Sequence, residues 1–503
     1  VTIEKGFFLI SRPKQIKKTR ILTSKLINNR KLGCTTTTMK QTCLQKNTTC
    51  PDLSGIEDQR KLNTHEQSRL HRDHQSEIYV KEQCFDPKGT QQVKSFVRTK
   101  ESLIAKLSEN YKNIPSSFIR EILNVADQQN IISFAGGLPN PECFPCQQLA
   151  ESAQRVLSEK GIEVLQYAGS QGLLPLRQWI ANRYNQKFDM KIDANNIVIT
   201  NGSQQTLDVT TKMFIEKGDA VIVEKPTYLG ALQAMSGYLP EFHPVTLTET
   251  GLDTNEIENI CWQNKPKFMY SIPNFQNPTG ICYDRKHREK IANILSDYQL
   301  ILLEDDPYSE IRFEGEQLPP IASLASENVF WSGSFSKMVA PGLRMGWVVL
   351  PPEMTAHFIK AKQSTDLHSN NLSQYALLDF LTHHNIDDHL NKTRKAYKAQ
   401  CDAMKEMIVK YLPDSIKMTN PQGGMFLWLT LPKELDSNEL IKDCLSQGVA
   451  FVPGNSFYTN GDGAHSIRMN FSNSNLETIE RGIKTMGAIF SKKLRLNQMT
   501  VSI

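Results

Sequence analysis

The sequence predicts an α/β protein, with a large domain built on a mainly parallel sheet and a smaller α+β domain. Three observations carry this. Between about Asn196 and Pro351, short apolar strands alternate with amphipathic helical stretches, the pattern left by β-α units that build a parallel sheet. After Pro352 helical periodicity dominates, followed by strand-like stretches at 424–431, 449–452 and 466–471; with the segment before Glu163 these make the smaller domain. The chain's 503 residues, 39% of them hydrophobic, exceed one ordinary domain and suffice for a large core. No repeat is evident, and no apolar run approaches the length of a membrane span.

In chain order, the strand NIVIT (196–200) runs into NGSQQ (201–205) and then a helix-like stretch at 206–215. Strand, glycine turn and helix start form an anion site, because free backbone N–H groups and the helix dipole face the loop. Taken alone, Ser203 reads as an ordinary N-cap. The apolar KFMYSI (267–272) leads into PNFQNPTG (273–280), where Asn277 can donate a hydrogen bond to a phenolate oxygen. In isolation NPTG is turn chemistry. The run LILL (300–303) reads as a buried strand ending in EDDPY (304–308). Open α/β sheets place ligand groups at the C-terminal ends of their strands, and Asp305 there can keep a pyridine nitrogen protonated. The competing reading of that segment is a surface turn.

The most informative stretch is WSGSFSKMVAPGLRMGW (331–347), which sets Lys337 in a run of hydroxyl residues with Arg344 seven positions on. A lysine amine is a poor nucleophile while protonated. Where burial and nearby cations depress its pKa, it condenses with an aldehyde as a Schiff base. Ser334, Ser336 and Arg344 supply donors for a phosphate beside it, Arg344 with a fork that binds two oxygens at once. An aldehyde and a phosphate on one small molecule describe pyridoxal 5'-phosphate.

These segments, in this order and spacing, together with FAGGLPNP (134–141), resemble the fold-type I pyridoxal-phosphate enzymes, specifically the class I/II aminotransferases. Within them the chain most resembles the aminoadipate/kynurenine aminotransferase-like branch, over roughly residues 102–490. The resemblance implies a seven-stranded-type sheet in a large cofactor-binding domain at 163–385. An arm with part of the small domain is expected at 101–162, and the small C-terminal domain at 386–495.

The resemblance also implies roles. Lys337 would carry the cofactor and shuttle the substrate's α-proton, and Asp305 would pair with the pyridinium nitrogen. Asn277 and Tyr308 would hydrogen-bond the ring's 3'-oxygen, while Tyr228, in EKPTY (224–228), would stack on the ring face. Ser203, Gln204, Ser334, Ser336 and Arg344 would hold the phosphate. Arg468, in HSIRMNF (465–471), resembles the arginine that clamps the substrate α-carboxylate, with Asn277 beside it and Gly136 and Gly137 leaving room. Tyr167, in LQYAGSQG (165–172), resembles a tyrosine that reaches the phosphate of the neighbouring subunit, which implies a homodimer with shared active sites. The implied reaction moves an amino group from an L-amino acid of aromatic, branched-chain or 2-aminoadipate type to a 2-oxo acid such as 2-oxoglutarate. Ping-pong kinetics is its expected fingerprint.

The first hundred residues carry none of these features. They are rich in Lys, Arg, Thr, Gln and Asn and read as a disordered N-terminal extension over 1–100. Some bacterial transcription regulators fuse a winged helix-turn-helix to an aminotransferase-like domain. Residues 1–97 show no convincing helix-turn-helix, and a net charge of +5 over 503 residues is a weak basic signal, so no nucleic-acid partner is expected. Other reactions on the same cofactor, β-elimination or decarboxylation, stay open. Ten cysteines are scattered along the chain. Cys143 and Cys146 have redox spacing without a thioredoxin-like pattern, and Cys34, Cys43, Cys50 and Cys84 lack paired metal-ligand spacing. The expectation is a cytoplasmic protein with reduced thiols, no metal and no membrane contact.

Overall fold

A computed structural model describes residues 77–85, 91–99, 103–115 and 131–501. The chain divides into two units, Val1–Thr99 and Lys100–Ile503. In the first, Glu77–Phe85 and Gln91–Thr99 pair as an antiparallel hairpin, a paired segment inside the stretch read as disordered. The rest of that expected extension lies outside the described residues, as does most of the segment before Phe134.

The second unit is built on a sheet whose long strands are β1 (Ile197–Thr200), β2 (Ala220–Lys225), β3 (Glu241–Thr248), β4 (Phe268–Ser271), β5 (Ile301–Asp306), β6 (Val329–Ser334) and β7 (Gly346–Val349). They lie in the order β1-β7-β6-β5-β4-β2-β3, and the two-residue strand Gly251–Leu252 turns back on β3 as an eighth member. Neighbours from β6 through to β3 run parallel, while β7 is antiparallel to both β6 and β1. Two reversals restore direction, so β1 points the same way as β6. β1, β4 and β6 are buried along their whole length, as near-continuous apolar strands must be when both faces of a parallel sheet are covered.

The smaller sheet is antiparallel throughout, with Phe426–Thr430 and Ser466–Asn470 at its centre and Lys417–Met418 and Val452–Pro453 at its edges. The helices Ile386–Tyr411 and Leu476–Val501 pack on one another beside it. The single strand expected at 449–452 is broken at Phe451: Val449–Ala450 pairs instead with Ile132–Ser133. That pairing ties in the chain before the large domain. Phe134 donates its N–H to Ala450 at 2.8 Å and accepts from Asn470 N–H at 2.8 Å. Among the described residues no helix is long and apolar enough to cross a membrane.

Candidate active site

The strand directions decide where chemistry can gather. The C-terminal ends of β1, β2, β4, β5 and β6 and the start of β7 all lie on one edge, so the loops that leave them converge. They enclose a cavity of about 470 Å³. Its wall contains Gly137, Ser203, Gln204, Tyr228, Asn277, Asp305, Tyr308, Ser334, Ser336, Lys337, Arg344 and Arg468, which brings together all but two of the residues singled out in the sequence.

One end of the cavity is an anion cradle. The helix α1 (Ser203–Phe214) starts behind Gly202, and no side chain caps it, so Ser203 is the first helical residue and leaves the N-terminal N–H groups without a side-chain partner. Gly202 has φ +73°, and a Cβ there would sit 2.6 Å from Arg344 Nη2. The loop is held from behind: Asn201 Nδ2 donates to Asp366 Oδ2 at 2.6 Å, and the buried Lys362 donates to Asp366 Oδ1 at 2.8 Å. Arg344 donates only to the carbonyls of Pro341 and Asn201 among the described residues, both at 3.3 Å, so its charge has no carboxylate. Ser334 Oγ accepts from Ser336 N–H at 3.1 Å, which folds the hydroxyl run toward the cradle. Gln204 points elsewhere, with its Nε2 donating to Gly230 O at 2.8 Å; of this residue only the backbone N–H faces an anion.

The middle of the cavity is shaped for a flat polar ring. Asp305, 2% exposed, accepts from Tyr270 OH at 3.0 Å through Oδ2, while its Oδ1 is buried without a partner. Burial pushes this carboxyl up to about 7, with Asp306 and Glu224 adding repulsion and only the Tyr270 bond opposing. Such an acid awaits a buried N–H cation. Asn277 Oδ1 accepts from Arg468 Nη1 at 2.9 Å, which fixes the amide so that Nδ2 is turned to donate. Tyr228 lies against Gly230, where a Cβ would come 2.4 Å from the ring.

Lys337 stands at the other side. Its Nζ donates to Gly137 O at 2.8 Å, and its pKa is pushed down to about 8, by burial first and then by Arg468 and Arg344. Arg468 is 2% exposed and sandwiched between the rings of Phe426 at 4.5 Å and Phe457 at 4.9 Å. Its Nη2 donates to Ala135 O at 2.6 Å, its Nε has no partner, and burial lowers its pKa to about 10. A desolvated guanidinium held only by neutral groups is set to take a carboxylate.

Two expected residues are not brought in. Gly136 is buried behind Gly137, outside the cavity wall. Tyr167 is 79% exposed and stacks edge-on to His368 at 5.8 Å. Three contributors were missed in the sequence: Tyr270, Phe426 and Phe457. Tyr270 lies on β4, next to the strand that carries Asp305, and was a legible partner for it, whereas nothing in the segments around Phe426 and Phe457 pointed to a cation. No group of three or more possible metal ligands occurs among the described residues.

The family model for "Aminotransferase class I and II" matches residues 129–486. Aromatic-amino-acid aminotransferase 1 of Thermococcus litoralis is 37% identical over 394 residues, 77% of this chain and 94% of its own. The 2-aminoadipate transaminase of Thermus thermophilus is 37% identical over 387 residues, 76% of this chain and 96% of its own. A solved structure of LysN, the α-aminoadipate aminotransferase of Thermus thermophilus complexed with N-(5'-phosphopyridoxyl)-L-leucine, aligns with TM-score 0.74 at 36% identity, over 79% of this chain and 100% of that one. The unpartnered acid, the uncapped helix and the low-pKa amine are the complement of a pyridinium, a phosphate and an aldehyde. The chain accordingly belongs to the class I and II aminotransferases, enzymes that work with pyridoxal phosphate.

Proposed function

We propose that this aminotransferase divides its work among the residues of the cavity as follows. Lys337 Nζ would hold the cofactor through its aldehyde and, as a neutral amine, would move the proton of the substrate α-carbon. Asp305 Oδ1 accepts from the ring N–H and keeps it protonated. Asn277 and Tyr308 donate to the 3'-oxygen, and Tyr228 covers the ring face. Ser203, Ser334, Ser336, Arg344 and the backbone N–H of Gln204 hold the phosphate, and Arg468 takes the substrate carboxylate with Asn277 beside it. Gly137 keeps the substrate side open, whereas Gly136 lies outside the cavity wall. Bound pyridoxal phosphate supplies an electron sink for the charge left when the α-proton departs. The observation that carries this reading is the buried, unpartnered Oδ1 of Asp305 in the same cavity as a lysine with a pKa near 8.

Substrates of aromatic, branched-chain or 2-aminoadipate type fit the cavity's mixture of Leu229, Ile272 and Phe426 with Arg468. The names of the relatives from Thermococcus and Thermus support the aromatic and aminoadipate choices, and 2-oxoglutarate is the proposed acceptor. A homodimer is proposed from Tyr167 and its neighbours: Ile162, Leu165 and Tyr167 are 94%, 74% and 79% exposed, an apolar patch that a second copy would bury while Tyr167 reaches its phosphate. The proposed division at 101–162, 163–385 and 386–495 is supported by the long strands of the large sheet lying within 197–349 and the smaller sheet within 417–470. A cytoplasmic location without nucleic-acid or membrane partners accords with unpaired cysteines such as Cys261, Cys401 and Cys444.

The test is the visible absorption spectrum of the purified protein before and after a panel of amino acids, with no oxo acid added. Conversion of the cofactor band by aromatic or 2-aminoadipate donors is expected. A band that persists with every donor, in a protein that binds DNA at low salt, would overturn the enzymatic reading.

A further inference from the structure

A carboxylate outside the cavity wall controls two of the loops that form it. Glu224, near the end of β2, is 1% exposed. Its Oε1 accepts from Ile272 N–H at 2.8 Å, Ser271 Oγ at 3.1 Å and Tyr283 OH at 2.6 Å, and its Oε2 accepts from Gln276 Nε2 at 2.8 Å. Burial raises its pKa, these four bonds oppose that, and no cation pairs with it among the described residues. A buried acid so fully bonded, with no ion pair among the described residues, is costly unless it organises something.

What it organises is visible in Gln276. Besides Glu224, Gln276 Nε2 donates to Pro226 O at 2.8 Å, and its Oε1 accepts from Thr279 N–H at 3.0 Å and Thr279 Oγ1 at 2.7 Å. The orientation of this amide is therefore fixed. Pro226 lies two residues before Tyr228, and Gln276 lies next to Asn277. The loop needs fastening, since Phe275 is held at φ +51°, in the left-handed region that a phenylalanine avoids.

We propose that Glu224 is a positioning residue: acting through Gln276, its carboxylate sets the placement of Asn277 and Tyr228 and so the cofactor's binding and ring ionisation, without touching cofactor or substrate. The inference rests on the proposed roles of Asn277 and Tyr228. Ile272 N–H and Gln276 Nε2 can only donate, and they use opposite oxygens of Glu224. An amide in its place has one acceptor and must turn its NH₂ against one of them.

The experiment measures, for Glu224→Gln, the dissociation constant of pyridoxal phosphate and the pH midpoint of the bound cofactor's visible band, alongside thermal melting. Cofactor affinity is expected to fall roughly tenfold to a hundredfold, the effect of one buried donor left unpaired. The midpoint is expected to rise by about one pH unit, because a displaced Asn277 no longer favours the anionic ring oxygen. Ser271→Ala removes a bond to Glu224 on the side away from Gln276, so it is expected to lower the melting temperature and leave the midpoint in place. The double exchange Glu224→Gln/Gln276→Glu again sets donor against acceptor between the two residues but turns a carboxylate oxygen toward Pro226 O in place of a donor, so it should bring the midpoint part of the way back. If Glu224→Gln does not fold, Gln276→Ala, which leaves Glu224 its other three bonds, should show the same rise. An unchanged midpoint and affinity in Glu224→Gln or Gln276→Ala, whatever the melting temperature, overturns the proposal. A wild-type protein with no cofactor band would instead refute the site reading beneath it.

Discussion

Asp305 and Glu310 are five residues apart at the exit of β5, both buried acids, and they are built in opposite ways. Glu310, with a side chain 3% exposed, takes Arg183 Nε at 2.8 Å and Lys187 Nζ at 2.6 Å, with Arg394 at 3.6 Å. Burial alone would raise its pKa, but Arg183 and Lys187 overrule it and hold the carboxyl down at about 2. Asp305 has one tyrosine hydroxyl, no cation and a free oxygen, and stands near 7. The larger cavity, about 950 Å³, lies beside the satisfied acid, and the smaller one, about 470 Å³, beside the unsatisfied one. Volume therefore does not identify the site here. Charge left without its partner does, because a fold retains a costly group only where something else completes it.

The sharpest way to break this contrast is Asp305→Asn. We expect activity to fall about a thousandfold, within the range for losing a group that acts on a reacting proton's electron sink. Stability should move the other way. Asp305 binds its proton more tightly in the folded, cofactor-free protein than in the unfolded chain, so its contribution shrinks as pH rises from about 4 to about 7. A shift from 3.8 to about 7 amounts to as much as about 4 kcal/mol above that window. Cofactor-free Asp305→Asn should therefore unfold at higher urea than cofactor-free wild type at pH 8. Equal or lower stability would mean that Asp305 already has a compensating cation.

Glu310→Gln should invert the pattern, costing about 3 kcal/mol in urea unfolding with activity within about twofold, because Arg183 and Lys187 lose their buried partner. In wild type the Glu310 share is present above pH 4.5 and is lost as pH falls toward about 2. A variant that melted normally but lost activity would move Glu310 into the site. Arg468 and Arg183 repeat the contrast among cations, one held by neutral groups and the other by two carboxylates. Arg468→Lys should lower kcat/KM about a hundredfold, mostly through KM, since an ammonium replaces a planar fork; equal losses in kcat alone would place the arginine on the reacting atoms instead.

These differences also mark what the sequence made legible. Asp305, Lys337 and Asn277 could be read because each ends or follows a strand, and parallel strands deliver their C-terminal ends to one edge. The cradle at Gly202 could be read for the same reason. Tyr167 shows the limit: the family resemblance placed it at the phosphate of a second copy, and within one chain it lies on the surface, where nothing local marks such a role. Gln204 was assigned through the resemblance, and its side-chain Nε2 is taken up by Gly230 O. The break of 449–452 at Phe451 was hidden because two neighbouring two-residue strands in different sheets leave the same apolar run as one strand. Glu224 and Gln276 were invisible for a further reason. Their importance lies in which oxygen meets which N–H, and that depends on contacts between residues 52 apart in sequence.

The smallest effect tests the lysine that the unsatisfied charges act upon. Capture of pyridoxal phosphate by cofactor-free protein requires the neutral amine of Lys337, so its rate should climb about tenfold per pH unit at low pH and level off above about pH 8. A solvated lysine would keep climbing for two further units, since its ordinary value is 10.5. Burial is the first cause of the depression and Arg468 only the second. Arg468→Met should therefore move the plateau upward by less than half of the distance to the solvated value. A plateau that moved the whole way would assign the depression to the field of Arg468, and one that stayed in place would assign it to burial and Arg344. Either result would redraw the boundary between a site tuned by its missing partners and one tuned by desolvation.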